Sequence, residues 1–194
     1  LYPELNISIL KKETAIMTIA KALVDGKVVG FYQGECEIGP RALGNRSILA
    51  SPCNVKTRDH LNSIKGRELW RPLAPLILQE SVKHYFDIDH SSPYMLFSFK
   101  ATNFAKKRIP ACIHVDGTAR IQTVTKNDRS ILYDLLKTFE SMTGIPCLIN
   151  TSFNIAGQPI VETPLDAVQC FWRIKLDCLF IDGVWIVKNG KCDV

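Results

Sequence analysis

The sequence has none of the short strings that announce the commonest hydrolytic and redox chemistries. It lacks the zinc-protease pattern H-E-x-x-H, the nucleophile elbow G-x-S-x-G, a Walker A loop and a Rossmann G-x-G-x-x-G. Its seven cysteines include no C-x-x-C pair, and no His or Cys pair sits at zinc-ligand spacing, so no metal ligands are assigned. The odd cysteine count and the apolar company of several, as in PCLIN and DCLFI, predict buried, reduced thiols in a cytoplasmic protein. No apolar run approaches the roughly 20 residues that span a bilayer, so no membrane association is expected. An initiator Met is also missing, as is a basic stretch ahead of an apolar one. The chain opens on Leu1 and reads as a fragment without a signal peptide.

What is present fits an ordinary globular composition, with 46% hydrophobic and 22% charged residues over a length that one core can serve. A single domain over 1–194 is expected. Residues 14–25 carry Ile16, Ile19, Ala20 and Leu23 on one helical stripe, with Gly26 to stop it. VVGFY and SILA read as short strands on either side of a polar loop, and residues 58–65 as a short helix. Residues 74–78, 95–99 and 112–115 read as three further strands. Residues 130–143 form a helix with Leu132, Leu135, Leu136 and Phe139 on one face, ended by Gly144 and Pro146. A strand from Cys147 then leads into NTSFN. Thr163-Pro164 with Asp166 starts a last helix to about Lys175, and Asp182-Gly183 turns a closing hairpin. Hairpins among alternating helices and strands predict an α/β fold with a mixed, twisted sheet and flanking helices.

The net charge of +5 suits nucleic acid or small phosphorylated ligands equally well. The placement of the cations decides between them. In GPRALGNRS, two glycines and the pair Arg41 and Arg46 suit a loop that wraps an oxyanion, and Glu35 and Glu37 stand ready to orient them. Lys65, Arg67 and Arg71 lead into the apolar strand APLIL. His114 and Arg120 flank a DGT turn. Asn150, Thr151, Ser152 and Asn154 place amides and hydroxyls at a strand end, where α/β folds put ligands. Each segment alone is compatible with a solvated surface. Together they supply cations and a polar cradle without a nucleophile, an inventory suited to phosphoryl or nucleotidyl transfer. The aromatics are not interleaved with the basic residues, which disfavours nucleic acid. If residues 112–115 and 118–120 form a hairpin, a three-residue loop through Thr118 would set His114 opposite Arg120.

The strings QGECEIGPRALGNRSILASP, NSIKGRELWRPLAPLIL, HVDGTARIQTV and GIPCLINTSFNIAGQPIVETPLDA strongly resemble the C-terminal domain of the nodulation and antibiotic-type O-carbamoyltransferases. The likeness runs in order from about Ala15 to Lys188. It departs from the family at Leu73 and Cys36, and it does not reach the first dozen residues. The resemblance implies a YrdC-like fold that uses ATP, Mg2+ and carbamoyl phosphate to make a carbamoyl adenylate. An N-terminal domain of the same full-length protein, of the ASKHA and Kae-like type, then carries the carbamoyl group to a hydroxyl. Iron belongs to that domain, whose histidines have no counterpart here. On this resemblance Lys65, Arg71 and Arg120 are expected to be catalytic, and Arg41, Arg46, Arg67 and His114 to bind substrate. Asn150, Thr151, Ser152 and Asn154 are expected to bind nucleotide. An RNA-binding module and a docking or homodimerisation domain are the alternatives.

Overall fold

The computed structural model describes residues 5–128 and 131–188. Strand β1 (Leu5–Ile9) and helix α1 (Lys12–Val24) precede an antiparallel pair, β2 (Val29–Tyr32) and β3 (Arg46–Ala50). Helix α2 (Val55–Ile64), β4 (Ala74–Leu78), the short α3 (Val82–Tyr85), β5 (Ser98–Lys100) and α4 (Asn103–Arg108) follow. The second half runs β6 (Thr118–Arg120), β7 (Gln122–Val124), α5 (Ile131–Thr143), β8 (Cys147–Ser152), α6 (Pro164–Arg173), β9 (Cys178–Ile181) and β10 (Val184–Lys188).

Eight strands form one sheet in the order β1-β10-β9-β2-β3-β8-β4-β7, and β5 pairs with β6 in a small second sheet. The β2–β9 and β4–β7 pairs are parallel and the other neighbours antiparallel, so the sheet is mixed, as the hairpins in the sequence required. Both faces are covered. On one, Ile19 and Leu23 of α1 and Leu132, Leu135, Leu136 and Phe139 of α5 pack against Phe31, Leu49, Leu76 and Phe180. On the other, Leu61 of α2 and Ala167, Cys170 and Phe171 of α6 pack against Ile48, Ala50, Ile149 and Phe153. The alternation of Ile48, Leu49 and Ala50 between the two layers follows from the period of two along a strand.

Local chemistry explains the elements that were legible. Thr163 Oγ1 accepts from Asp166 N (3.2 Å) while Asp166 Oδ2 accepts from Thr163 N (2.9 Å), a complete capping box with Pro164 as the first helical residue. Asp182 and Gly183 both take positive φ (40° and 91°), and Ile181 pairs with Val184 across them, the two-residue hairpin geometry. Helix α2 starts three residues earlier than its periodicity suggested, because Asn54 caps it by accepting from Lys56 N (2.9 Å). The expected start of α5 at Ser130 lies outside the described residues. Cys112, Cys147 and Cys170 are buried, whereas Cys36 and Cys53 are exposed.

Two strand expectations are corrected. Residues 112–115 are not a strand, and the 112–120 hairpin does not exist. Pro110, which has no N–H to donate, opens a 3-10 turn over Pro110–Cys112. The chain then turns tightly, with Gly117 N donating to His114 O (3.0 Å) and His114 N to Thr118 O (2.8 Å). Strand β6 pairs instead with β5, Arg120 opposite Ser98, so no register places His114 across from Arg120. Within 95–99 only Ser98 and Phe99 are extended, since Met95 adopts φ 53°. Strand β1, unforeseen, pairs with β10 from Leu5↔Lys188 to Ile9↔Val184.

The loop from β2 to β3 has one position that only glycine can fill. Gly44 has φ +114°, and a Cβ there would sit 2.0 Å from Leu132 Cδ1. Gly39 shares the strained backbone (φ +117°) but would meet nothing within 4 Å. Gly39→Ala should therefore cost only the backbone term, about 1–3 kcal/mol. Gly44→Ala should add a similar overpacking term against α5. Guanidinium denaturation of the two variants checks the order.

Candidate functional site

The site lies where the β2–β3 loop, the residues after α2 and the end of β6 meet the end of β8. Asn150 sits in the middle of the sheet, registered with Leu49 of β3 and Ala74 of β4, and is 1% exposed. Arg41, Arg67, Arg120, Asn150, Thr151 and Ser152 line one small pocket of about 90 Å³, walled also by Pro40, Ala42, Pro72, Ala74 and Met95. Pro40 and Ser152 also border a shallower depression of about 420 Å³, which includes Cys36, Glu37, Asn154 and Gln158. The smaller space suits an anion of a few atoms. The larger is within the range of whole-ligand sites.

Each pocket arginine is held differently. Gly66 (φ +66°) ends α2 and turns the chain so that Arg67 Nε donates to Asn62 Oδ1 (2.7 Å), while its Nη2 reaches Thr151 Oγ1 (3.4 Å). Burial, with the nearby charge of Arg71, pulls the Arg67 pKa down to about 10. Arg120 is pulled down by burial and then by the charge of Arg41, so these guanidinium groups repel one another. Arg120 Nε is buried without a hydrogen-bond partner. Among the described residues no carboxylate lies within ion-pair distance of Arg41, Arg67 or Arg120. Three cations thus border one pocket without an ion-pair partner, Arg41 exposed and Arg67 and Arg120 half-buried.

Other expected site residues do not line this pocket. Arg46 is 3% exposed and spends its donors inside: Nη1 on Gln33 O (2.8 Å) and Asn45 O (3.1 Å), Nη2 on Gly34 O (2.9 Å), Nε on Glu162 O (3.4 Å). Its guanidinium also covers the Tyr32 ring at 3.5 Å. Lys65 is 2% exposed, and its Nζ donates to Ser152 O, Asn154 O (3.1 Å) and Asn154 Oδ1 (2.9 Å). Three acceptors match the three N–H groups of an ammonium, so Lys65 fixes the NTSFN bend from behind. Arg71 is half exposed beside Glu68 (3.6 Å). His114 lies near enough to feel Arg120. Burial, and more weakly the charge of Arg120, push its pKa down against the opposing pull of Asp116. Asn154 borders the larger depression, where its Nδ2 donates to Gln158 O (2.7 Å).

Three residues of the scaffold were not singled out by the sequence. Gln122 Nε2 donates to Leu43 O (2.7 Å), and its Oε1 accepts from Asn150 Nδ2 (2.8 Å), which also donates to Ala42 O (3.1 Å). Asn62, fully buried, donates to Leu69 O (2.9 Å) and Arg71 O (2.8 Å) while accepting from Arg67. Met95 brings the 90–97 segment to the pocket through its left-handed turn. Nothing in the polar helix VKTRDHLNSI or the short strand QTV singles out Asn62 or Gln122, and their partners lie in other segments. Glu37, which was noted, caps the loop: its Oε1 accepts from Leu43 N (2.7 Å), Asn45 N (2.7 Å) and Arg46 N (3.2 Å).

Comparison with known proteins gives this arrangement a context. Residues 20–188 match the family model described as Carbamoyltransferase C-terminus. The chain is 41% identical to an uncharacterized protein of Synechocystis sp., with 89% of the chain and 32% of that protein covered. It is 40% identical to nodulation protein NolNO of Sinorhizobium fredii, covering 95% of the chain and 28% of the relative. The chain thus spans about a third of the length of the curated relatives it matches. Among solved structures, full-length HypF in a phosphate- and nucleotide-bound form superposes with TM-score 0.63 at 19% identity, over 95% of this chain and 23% of that one. Sua5 of P. abyssi superposes with TM-score 0.65 at 17% identity, over 90% and 50%. The fold is that of the YrdC and Sua5-like domains. Among the described residues no helix is long and apolar enough to cross a membrane.

The buried lysine generates a stability prediction. Lys65→Met leaves the carbonyls of Ser152 and Asn154 unpaired and should cost about 1–3 kcal/mol near pH 8. Burial, and then the charge of Arg67, lower the folded pKa of Lys65 to about 7 from an ordinary 10.5. Between those values the unfolded chain keeps a proton that the folded chain has released. The burial penalty is therefore full below about pH 7 and fades toward pH 10.5, so this residue makes stability rise with pH across that window. Denaturant titrations of both chains between pH 6 and 10 should show that slope in the unsubstituted chain and not in Lys65→Met.

Proposed function

The chain belongs to the carbamoyltransferase C-terminus family, and from that premise we propose that its three-arginine pocket binds the phosphate of carbamoyl phosphate. The observation that carries this is the convergence of Arg41, Arg67 and Arg120 on a space of anion size, with no acidic partner within ion-pair distance and with the Arg120 Nε unpaired. The half-buried guanidinium groups of Arg67 and Arg120 cost free energy until an anion arrives, and planar guanidinium groups match phosphate oxygens two at a time. ATP takes the adjoining depression past Ser152 and Asn154. A fold shared with a phosphate- and nucleotide-bound protein supports that assignment.

In this reading the chain is the activating part of an O-carbamoyltransferase. Loss of phosphate from carbamoyl phosphate to water leaves a carbamate. Its oxygen bonds to the α-phosphorus of ATP, pyrophosphate departs, and carbamoyl adenylate remains for transfer to a hydroxyl by the rest of the longer protein. The guanidinium groups act by stabilising charge that grows on the transferring groups, the principal form of catalysis when side chains do no covalent work. Lys65 and Arg46 position the site by fixing the NTSFN bend and the β2–β3 loop. Arg71 and His114 stand beside it, where Arg71 can meet the outer part of a bound ligand. Among the described residues no group of three His, Cys, Asp or Glu could hold a metal ion, so magnesium would come on the phosphates of the nucleotide.

Calorimetric titration with carbamoyl phosphate and with inorganic phosphate tests the reading. Replacement of Arg41, Arg67 or Arg120 by alanine should weaken both ligands by about ten- to a hundredfold, the loss of one charge-assisted bond. Carbamoyl-phosphate-dependent release of pyrophosphate from ATP should accompany binding. Unchanged affinities in all three variants, or binding of RNA with neither small ligand bound, would refute it.

A further inference from the structure

One residue of the pocket wall, Asn150, has a side-chain oxygen whose polarity is fixed by a chain of hydrogen bonds that begins at the backbone. Leu43 O can only accept, so the group of Gln122 that lies 2.7 Å away must be its NH2. Gln122 Oε1 therefore faces Asn150, and the group of Asn150 that reaches it at 2.8 Å must be an NH2 as well. Ala42 O, again only an acceptor, takes the other proton of that NH2 at 3.1 Å. Neither amide can flip without setting oxygen against oxygen. Asn150 Oδ1 is thereby compelled to be an acceptor, and it is buried with no partner.

Its surroundings say what would satisfy it. Asn150 is 1% exposed and walls the same pocket as Arg41, Arg67 and Arg120. Ala74, directly across from it in β4, is small and walls the pocket too. The pocket thus combines cations that want an oxyanion with an acceptor that wants an N–H or O–H. An unmet acceptor in such a place is destabilising, and a ligand donor would relieve it.

We infer that Asn150 is a specificity residue: its Oδ1 accepts a hydrogen bond from the NH2 of the carbamoyl group while the arginines hold the phosphate. This rests on the carbamoyl phosphate reading and adds to it the residue that separates a carbamoyl from an acetyl group of the same shape. An acyl phosphate with a methyl in place of the NH2 would seal off the acceptor unpaired. A site built to bond an N–H discriminates against such an analogue far better than an apolar pocket could.

Two stable phosphonates test this on the 194-residue chain: phosphonoacetamide, which ends in an NH2, and acetonylphosphonate, in which a methyl replaces it. The chain should bind the amide about ten- to a hundredfold more tightly than the ketone. Asn150→Leu should bring that ratio close to one. Equal affinity of the unsubstituted chain for the two phosphonates would overturn the role of Asn150 and leave the arginine pocket standing. Failure to bind either phosphonate, or inorganic phosphate, would overturn the anion reading itself. Should Asn150→Leu not fold, the amide-to-ketone ratio of the unsubstituted chain still decides.

Discussion

A loop can lie against a sheet only if its backbone N–H and C=O groups find partners there, and the site depends on how this is met between β2 and β3. One carboxylate oxygen of Glu37 accepts from three backbone N–H groups of the loop, those of Leu43, Asn45 and Arg46. The carbonyls of Gln33, Gly34 and Asn45 are taken by the buried guanidinium of Arg46, and those of Ala42 and Leu43 by Asn150 and Gln122. Buried polar groups left unmet would each cost about 1–3 kcal/mol. Satisfied as they are, they hold the loop backbone that carries Arg41 beside the end of β8 without any ligand present, the preorganisation that an electrostatic site requires.

The cations accordingly divide by where their donors end. Arg46 and Lys65 are almost fully buried and spent on carbonyls, binding the two loops that frame the pocket. Arg41, Arg67 and Arg120 come from three separate segments and meet with unspent charge. A motif rich in arginine and lysine therefore contains two kinds of residue, scaffold and contact. The same arginine-bearing string supplies one of each, five positions apart.

Much of the fold was legible because local rules and tertiary structure agree. The stripe on α1, the apolar face of α5, the Thr163 cap and the Asp182-Gly183 turn each state their structure in a few adjacent residues. The failures have one physical origin, the dependence on distant partners. Residues 112–115 look extended, but Pro110 and the Asp116 turn bend them, and β6 finds β5 instead. Strand β1 is mostly exposed and exists because β10 offers it an edge. At the site, the segments that meet were visible as motifs. Their division of labour was not, since only coordinates show that the ammonium of Lys65 faces the Ser152 and Asn154 carbonyls. The forced polarity of Asn150 is likewise unreadable from sequence: it passes through Gln122 to Leu43, residues far apart in the chain.

The central claim is that an anion belongs among Arg41, Arg67 and Arg120 while Arg46 and Lys65 stay bound to the protein's own carbonyls. Crystals of the chain soaked in tungstate, whose anomalous scattering marks a tetrahedral oxyanion unambiguously, test it most directly. The account predicts one strong tungsten peak within hydrogen-bond reach of the three pocket arginines, with the Lys65 and Arg46 contacts unchanged. A peak ligated by Lys65 or Arg46 after release of those carbonyls, or none near the pocket at saturating tungstate, would contradict it.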